Sequence, residues 1–246
     1  MLRLEIIILS FAAGLATLAG GLVVGLQPRL GERMLAMLLG GAGGIMTGVV
    51  IFDLLPSAWK QGGIVPAAEG LFFGIFFLYL LDLLFSFSLP SAPQERDRYY
   101  MLNMGYLIAV GIALHDLPEG IAIAAGFASE HQLGLVLIIA IALHNIPEGM
   151  ATAAPLLMGG AGVRKILLIN GVVSIFTPLG TLLGLLLLQL SERLIALLLA
   201  VAAGAMIYIV RFELLPESRR RHPNYSLLGI LLGALLSIIL AFWHHF

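Results

Sequence analysis

The sequence IALHDLPEG at residues 112–120 is repeated almost unchanged as IALHNIPEG at residues 141–149. Each copy lies inside a long apolar run and places a histidine, a second polar residue and a glutamate at positions i, i+1 and i+4. In a helix, positions i and i+4 share one face, and so do i+1 and i+4. We therefore expect each copy to present three polar groups from one side of a helix. They are His115, Asp116 and Glu119 in the first copy and His144, Asn145 and Glu148 in the second.

A proline follows three residues after each histidine. Pro118 and Pro147 have no N–H, so the carbonyls of Leu114 and Leu143 lose their helical partners and the helices should kink. A kinked helix with a bare carbonyl beside a histidine is suited to holding a cation.

The composition is that of an integral membrane protein. The 246 residues are 60% hydrophobic and only 11% charged, and the mean hydropathy is +1.05, far from a soluble domain. No alternating apolar–polar pattern favours a β-barrel. A net charge of −1 gives no reason to expect nucleic-acid binding. Without cysteine, a metal site must use nitrogen and oxygen ligands, with methionine sulfur as an addition.

The apolar runs predict a single transmembrane domain over residues 1–246 with eight helical spans, since one span needs about 20 apolar residues. The spans are approximately 4–26, 34–56, 66–89, 104–128, 133–158, 164–188, 192–216 and 226–244. The charged, proline-containing segment between Ser86 and Asn103 is interpreted as a short loop.

The basic residues predict the orientation in the bilayer. Nine of the 13 Lys and Arg residues fall in the segments after spans 1, 3, 5 and 7, and three fall on the other side. By the positive-inside rule the nine face the cytoplasm. Both termini are then extracytoplasmic, in a multi-pass protein of the inner or plasma membrane.

A second repeat relates residues 43–56 in span 2 to residues 203–216 in span 7, and both end in Leu-Leu-Pro. An even and an odd span run in opposite directions, as do spans 4 and 5. The pattern predicts an all-α fold with a 3+2+3 arrangement, in which spans 1–3 and 6–8 are inverted repeats around the central pair 4–5. Inverted repeats are typical of transporters whose substrate site lies near the membrane midplane, and both histidine motifs fall at the middle of their spans.

The chemistry of the two motifs favours a divalent cation. Asp116, Glu119 and Glu148 bring three carboxylates to the bilayer centre, where a bound ion would compensate their charge. Imidazole with carboxylate suits zinc, iron, cobalt, nickel or manganese. The alternative interpretation is a set of hydrogen bonds between helices with protonated acids.

His-Asp-Leu-Pro-Glu-Gly and His-Asn-Ile-Pro-Glu-Gly resemble the paired motifs on the fourth and fifth helices of the ZIP family of divalent-metal transporters, in particular its prokaryotic short-loop branch. The resemblance covers nearly the whole chain and implies metal transport into the cytoplasm. It also implies metal binding by all six motif residues, and Met46 matches a less constant methionine on the second helix.

Three positions depart from the family pattern. Asp116 stands where the family often has Asn. Thr177, before Pro-Leu-Gly in span 6, stands where many prokaryotic members have Glu, which puts a second metal position in doubt unless Asp116 compensates. In span 7, Arg211 and Phe212 precede Glu213, where many members have an acid immediately before the glutamate. Arg211 could slow metal release or pair with an acid, and the sequence does not decide between them.

The predicted function is import of zinc, with iron, manganese, cobalt and cadmium as further candidate substrates. The ion would enter past Asp53, near the outer end of span 2, and leave past Glu213, near the inner end of span 7. The partners are the metal ion and the bilayer. No cofactor beyond the transported metal and no enzyme activity are expected, and a homodimer is left open. The alternatives are an intramembrane metal-dependent hydrolase and a metal sensor that binds without conducting.

Overall fold

Eight long apolar helices account for the fold. The computed structural model describes residues 2–27, 30–86, 93–186 and 192–244, and within these ranges the regular structure is helical, without a strand. Each of the eight is long and apolar enough to cross a membrane. In chain order they are α1 (Leu2–Gly25), α2 (Glu32–Gly62), α3 (Ile64–Ser86), α4 (Pro93–Ser129), α5 (His131–Met158), α6 (Val163–Leu186, with a break after Val173), α7 (Glu192–Arg221) and α8 (Pro223–His244).

The helices overlap the eight predicted spans but several are longer. α4 begins at Pro93, so the second half of the segment interpreted as a loop is helical. Proline is favoured in a first helical turn, and charged residues such as Glu95 and Arg96 are good helix formers. α2 and α7 continue through their prolines to Gly62 and Arg221. The predicted ends of spans 3 and 6, at residues 89 and 188, lie outside the described residues.

α2 and α7 each contain a π-helical turn directly before the Leu-Pro step, at Val50–Leu54 and Ile209–Leu214. The N–H of Leu55 reaches the carbonyl of Val50, and that of Leu215 reaches Val210. The prolines that follow have no N–H, so they cannot bond to the carbonyl four residues earlier. The regular α-helical hydrogen-bond pattern is therefore interrupted at these points. The two turns occupy equivalent positions of the second repeat and support it.

The closest helix pairs also follow a repeat. α1 packs on α5 and α6 on α4, while α2 packs on α8 and α7 on α3. Exchanging α1 with α6, α2 with α7, α3 with α8 and α4 with α5 converts each of these pairs into the other. The helices thus pack as two groups, α1, α4, α5, α6 and α2, α3, α7, α8, joined by fewer contacts. The 3+2+3 arrangement stays a prediction, because helices that follow one another in the chain, such as α1 and α2, belong to different packing groups.

The glycine that ends each histidine motif permits a close backbone contact. A Cβ at Gly120 would collide with the carbonyl oxygen of Thr177 on α6, and one at Gly149 with that of Thr17 on α1. Thr17 and Thr177 are separated along the chain by the same number of residues as the two repeat prolines, Pro56 and Pro216. Each central helix is therefore pressed against one outer helix at an equivalent point, directly beside its polar residues.

Candidate metal centre

The two motifs meet where α4 faces α5, and all six of their polar side chains are buried. His115 Nε2 lies 3.4 Å from Asp116 Oδ1, 3.7 Å from Glu119 Oε1 and 3.3 Å from Glu148 Oε2. His144 Nε2 lies 3.1 Å from Glu119 Oε1. The predicted convergence of both motifs is therefore present for five residues, and His115 stands at its centre.

The donors form two overlapping triads, which share His115. One contains His144 and Glu148, the other Asp116 and Glu119, and the donor atoms of each triad lie within 4.8 Å of one another. Nitrogen and oxygen ligands lie about 2.0–2.2 Å from zinc, so two ligands of one ion are at most about 4.4 Å apart. Either triad could hold a first-row divalent ion after small side-chain adjustments.

Several of these atoms have no hydrogen bond to any other described residue. Within the described part of the chain, both ring nitrogens of His115 and all four carboxylate oxygens of Asp116 and Glu148 are buried without a hydrogen-bond partner. Buried polar atoms normally have hydrogen-bond partners, and charged groups that lack them are the most costly exceptions. Such a set of nitrogen and oxygen donors fits a divalent transition metal.

Asn145 is positioned by α1. Its Nδ2 donates a hydrogen bond to the carbonyl of Ala13 at 3.2 Å. The amide oxygen Oδ1 is buried and has no hydrogen-bond partner among the described residues. Because the nitrogen is fixed on the neighbouring helix, the oxygen is the atom that Asn145 could offer to a cation.

Asn170 on α6 supports the same region, and the motif spacing did not identify it. Its Nδ2 donates to the carbonyl of Gly149 at 3.2 Å, the glycine that follows the metal-motif glutamate of α5. A Cβ at Gly21 of α1 would collide with the Asn170 amide. Asn170 thus ties α6 to α5 across a glycine of α1. An asparagine inside an apolar run was the only sequence signal for it.

Asp53 lines the same cavity as two of the central residues. The cavity walls come from α2, α4, α5 and α8, and they include Asp53, Glu119 and His144. Asp53 itself is exposed, and Ser57 Oγ lies 3.4 Å from its Oδ1. The cavity therefore connects Asp53 with the centre.

Glu213 and Arg211 point to different surroundings, although both lie in the π turn of α7. Glu213 is buried beside Tyr100, which can donate a hydrogen bond to its carboxylate. Arg211 is exposed, with its guanidinium 5.5 Å from the ring centroid of Phe212. Among the described residues, Arg211 forms no ion pair. The structure therefore gives no support to pairing with an acid, one of the two roles considered for Arg211.

Met46 and Thr177 are both buried in the bundle interior. Met46 is fully buried in the main apolar core. Thr177 is fully buried, and its Oγ1 has no hydrogen-bond partner among the residues described. Its backbone carbonyl faces Gly120, one residue after Glu119, so Thr177 is a neighbour of the centre.

Comparison with known proteins gives one consistent result. Residues 91–241 match the family model described as ZIP zinc transporter. The zinc transporter ZupT of Chlorobaculum parvum is 31% identical, over 93% of this chain and 92% of that protein. ZupT of Escherichia coli O7:K1 is 33% identical over 92% of both chains. ZupT of Corynebacterium glutamicum is 34% identical over 92% of this chain and 93% of that protein.

Proposed function

This chain belongs to the ZIP family of zinc transporters, and from that membership we propose that it imports zinc through the six polar residues where α4 faces α5. Family members are transporters, so this chain is a membrane transporter of divalent metal ions and not an enzyme. The hydrolase alternative is thereby removed.

The observation that carries the proposal is the buried set of donors around His115. Three carboxylates and two imidazoles share one site in the middle of two apolar helices, and six of their polar atoms have no hydrogen-bond partner among the described residues. Ionisable groups at this depth are costly and usually mark an ion pathway. Since both triads use His115, an ion could pass from one triad to the other while this imidazole remains its ligand.

The proposed route runs from Asp53 to Glu213. The cavity that joins Asp53 to Glu119 and His144 supports the first half. The second half rests on Glu213, a buried carboxylate whose Oε2 has no hydrogen-bond partner in the described structure. With the nine basic residues in the cytoplasm and both termini outside, Asp53 faces the exterior and the direction is inward.

Zinc is the proposed substrate because the relatives are named zinc transporters. Iron, manganese, cobalt and cadmium remain candidate substrates, since first-row ions share imidazole and carboxylate ligands. The sequence has no Gly-x-x-x-x-Gly-Lys-Ser/Thr motif. We therefore propose that concentration gradients, and chelation of zinc in the cytoplasm, drive transport.

The test is uptake of radioactive zinc into proteoliposomes of the purified protein. We expect saturable uptake by the wild type and none by Glu148→Ala, which removes a ligand from the site. Glu69→Ala is the matched control, because Glu69 is a partly exposed carboxylate whose ion pair is with Arg193, and this variant should transport normally. Tight zinc binding by well-folded wild type without uptake would contradict the proposal and favour a metal sensor.

A further inference from the structure

We propose that a cleft at the beginning of α4 binds the phosphodiester headgroup of an anionic phospholipid. Lipid binding at this cleft is independent of metal transport. The cleft lies between the first turns of α4 and the first turn of α6. Its walls are formed by Arg98, Tyr99, Leu102, Asn103, Tyr106 and Lys165.

Among the described residues, the two cations of the cleft have no anionic partner. All 14 Asp and Glu residues of the chain lie in the described ranges, and the Arg residues that they pair with are Arg193, Arg220 and Arg221. No carboxylate of these ranges forms an ion pair with Arg98 or Lys165. Two neighbouring positive charges therefore face one small cleft uncompensated.

Neutral groups hold both cations in place. Arg98 donates from Nε to the carbonyl of Gly159 at 2.9 Å, which leaves the other four N–H groups of the guanidinium for a ligand. Lys165 places its ammonium 5.2 Å from the ring centroid of Tyr106, a cation–π contact. A carbonyl and a ring orient the charges without cancelling them, as an anion site requires.

The position of the cleft favours a lipid over a free anion. α4 and α6 both begin here, and Arg220 at the end of α7 reaches Asp97 at the same end of the bundle. We assign this end of the bundle to the cytoplasm, and basic pockets between transmembrane helices at the cytoplasmic surface bind anionic headgroups. Tyr99 is 43% exposed, and with Leu102 and Tyr106 it gives the cleft an apolar wall. A glycerol backbone and acyl chains can cover this wall, whereas inorganic phosphate cannot.

The test is native mass spectrometry of the metal-free protein in neutral detergent, titrated with phosphatidylglycerol. We expect a retained lipid and an apparent Kd that rises about fivefold on Lys165→Gln and again on Arg98→Gln. Arg164→Gln is the matched control, because Arg164 is an exposed cation next to Lys165 that does not line the cleft. An equal loss in this control would show diffuse attraction to a basic surface and overturn the proposal.

Two further measurements separate the remaining outcomes. Phosphatidylcholine should not compete, and neither should millimolar inorganic phosphate. Displacement of the lipid by phosphate would identify a phosphate site and contradict the lipid assignment. Arg98→Gln removes the hydrogen bond from Arg98 to Gly159, and this loss could itself disturb folding. Lys165→Gln tests the cleft independently, because Lys165 is exposed and the bond from Arg98 to Gly159 is kept in that variant. An unchanged Kd in folded Lys165→Gln would overturn the proposal.

Discussion

His115 and His144 occupy equivalent places in the two motifs but differ in their surroundings. His115 lies within 3.7 Å of three carboxylates and belongs to both candidate triads. His144 forms its ion pair with Glu119 and belongs to one triad. The two imidazoles are therefore not interchangeable, although the sequence around them is almost the same.

We predict that zinc binding is more sensitive to His115→Ala than to His144→Ala. Loss of a group that supports a metal ligand costs about 10–100-fold in affinity. We expect the loss of zinc affinity in His144→Ala to fall in this range, because the triad of His115, Asp116 and Glu119 survives. The loss in His115→Ala should exceed this range, because neither triad survives. Isothermal titration of zinc into each purified variant measures the difference, with His131→Ala, at the exposed start of α5, as the control. Equal affinities for the two motif variants would contradict a centre built on His115.

The helices around this centre are positioned by backbone contacts as well as by side chains. α1 and α5 approach each other at Gly149, and α4 and α6 at Gly120. No side chain separates the backbones at these points, so the distance between the helices depends on the missing Cβ.

We predict that Gly149→Ala, which adds a methyl group between α1 and α5, destabilises the protein. The added methyl group would collide with the carbonyl of Thr17, and overpacking of this kind costs about 1–3 kcal/mol. Gly171→Ala in α6 is the control, because its Cβ would meet only Leu18 Cδ1 at 3.9 Å. Thermal unfolding in detergent should show a lower midpoint for the first variant and an equal or higher one for the second. Equal midpoints would mean that α1 can move aside freely.

A network of charges joins three helices at the end of the bundle that we assign to the cytoplasm. Glu217 of α7 is buried and pairs with Arg220 and Arg221. Arg221 also lies 3.1 Å from Glu32 of α2 and 3.6 Å from Asp97 of α4. Asp97 belongs to the helix group that contains the candidate metal centre, so this network links the two groups.

We predict that Arg221→Ala lowers the free energy of unfolding by about 1–3 kcal/mol. Breaking a buried pair outright costs about 3–5 kcal/mol, and the loss is smaller here because Glu217 keeps Arg220. Arg219→Ala, an exposed neighbour that takes no part in the ion pairs of the described residues, should change stability little. Urea or thermal unfolding of both variants measures this. A destabilisation of equal size in Arg219→Ala would show that the network has no special weight.

For the whole molecule, the absence of cysteine allows a direct test of orientation. Lys60 lies near the end of α2 and Arg164 near the start of α6, and both are exposed. We predict that an impermeant maleimide labels Lys60→Cys in intact cells and Arg164→Cys only after permeabilisation, while the wild type stays unlabelled. The opposite pattern would reverse the proposed direction of transport.

The sequence predicted the centre better than it predicted the packing. The spacing of His115 and Glu119 places both on one helical face whatever surrounds them, so their convergence follows from periodicity alone. The contact of Asn145 with Ala13 and that of Gly120 with Thr177 depend on which helices are neighbours, and uniformly apolar helices carry little pattern to show this. The prolines and charges between Ser86 and Asn103 favour a loop, but the structure has a helix from Pro93 onward, because a helix can extend beyond the bilayer into water.

The π turns of α2 and α7 have a consequence for sequence alignment. A π turn holds one more residue than an α turn, so each behaves as a single-residue insertion in an otherwise regular helix. A relative without it should show a one-residue gap between positions 50 and 54, or between 209 and 214. Every side chain beyond the gap would then rotate by about 100° relative to those before it. An alignment without gaps at these positions would therefore indicate that the relative keeps Asp53 and Glu213 in the same orientation as this chain.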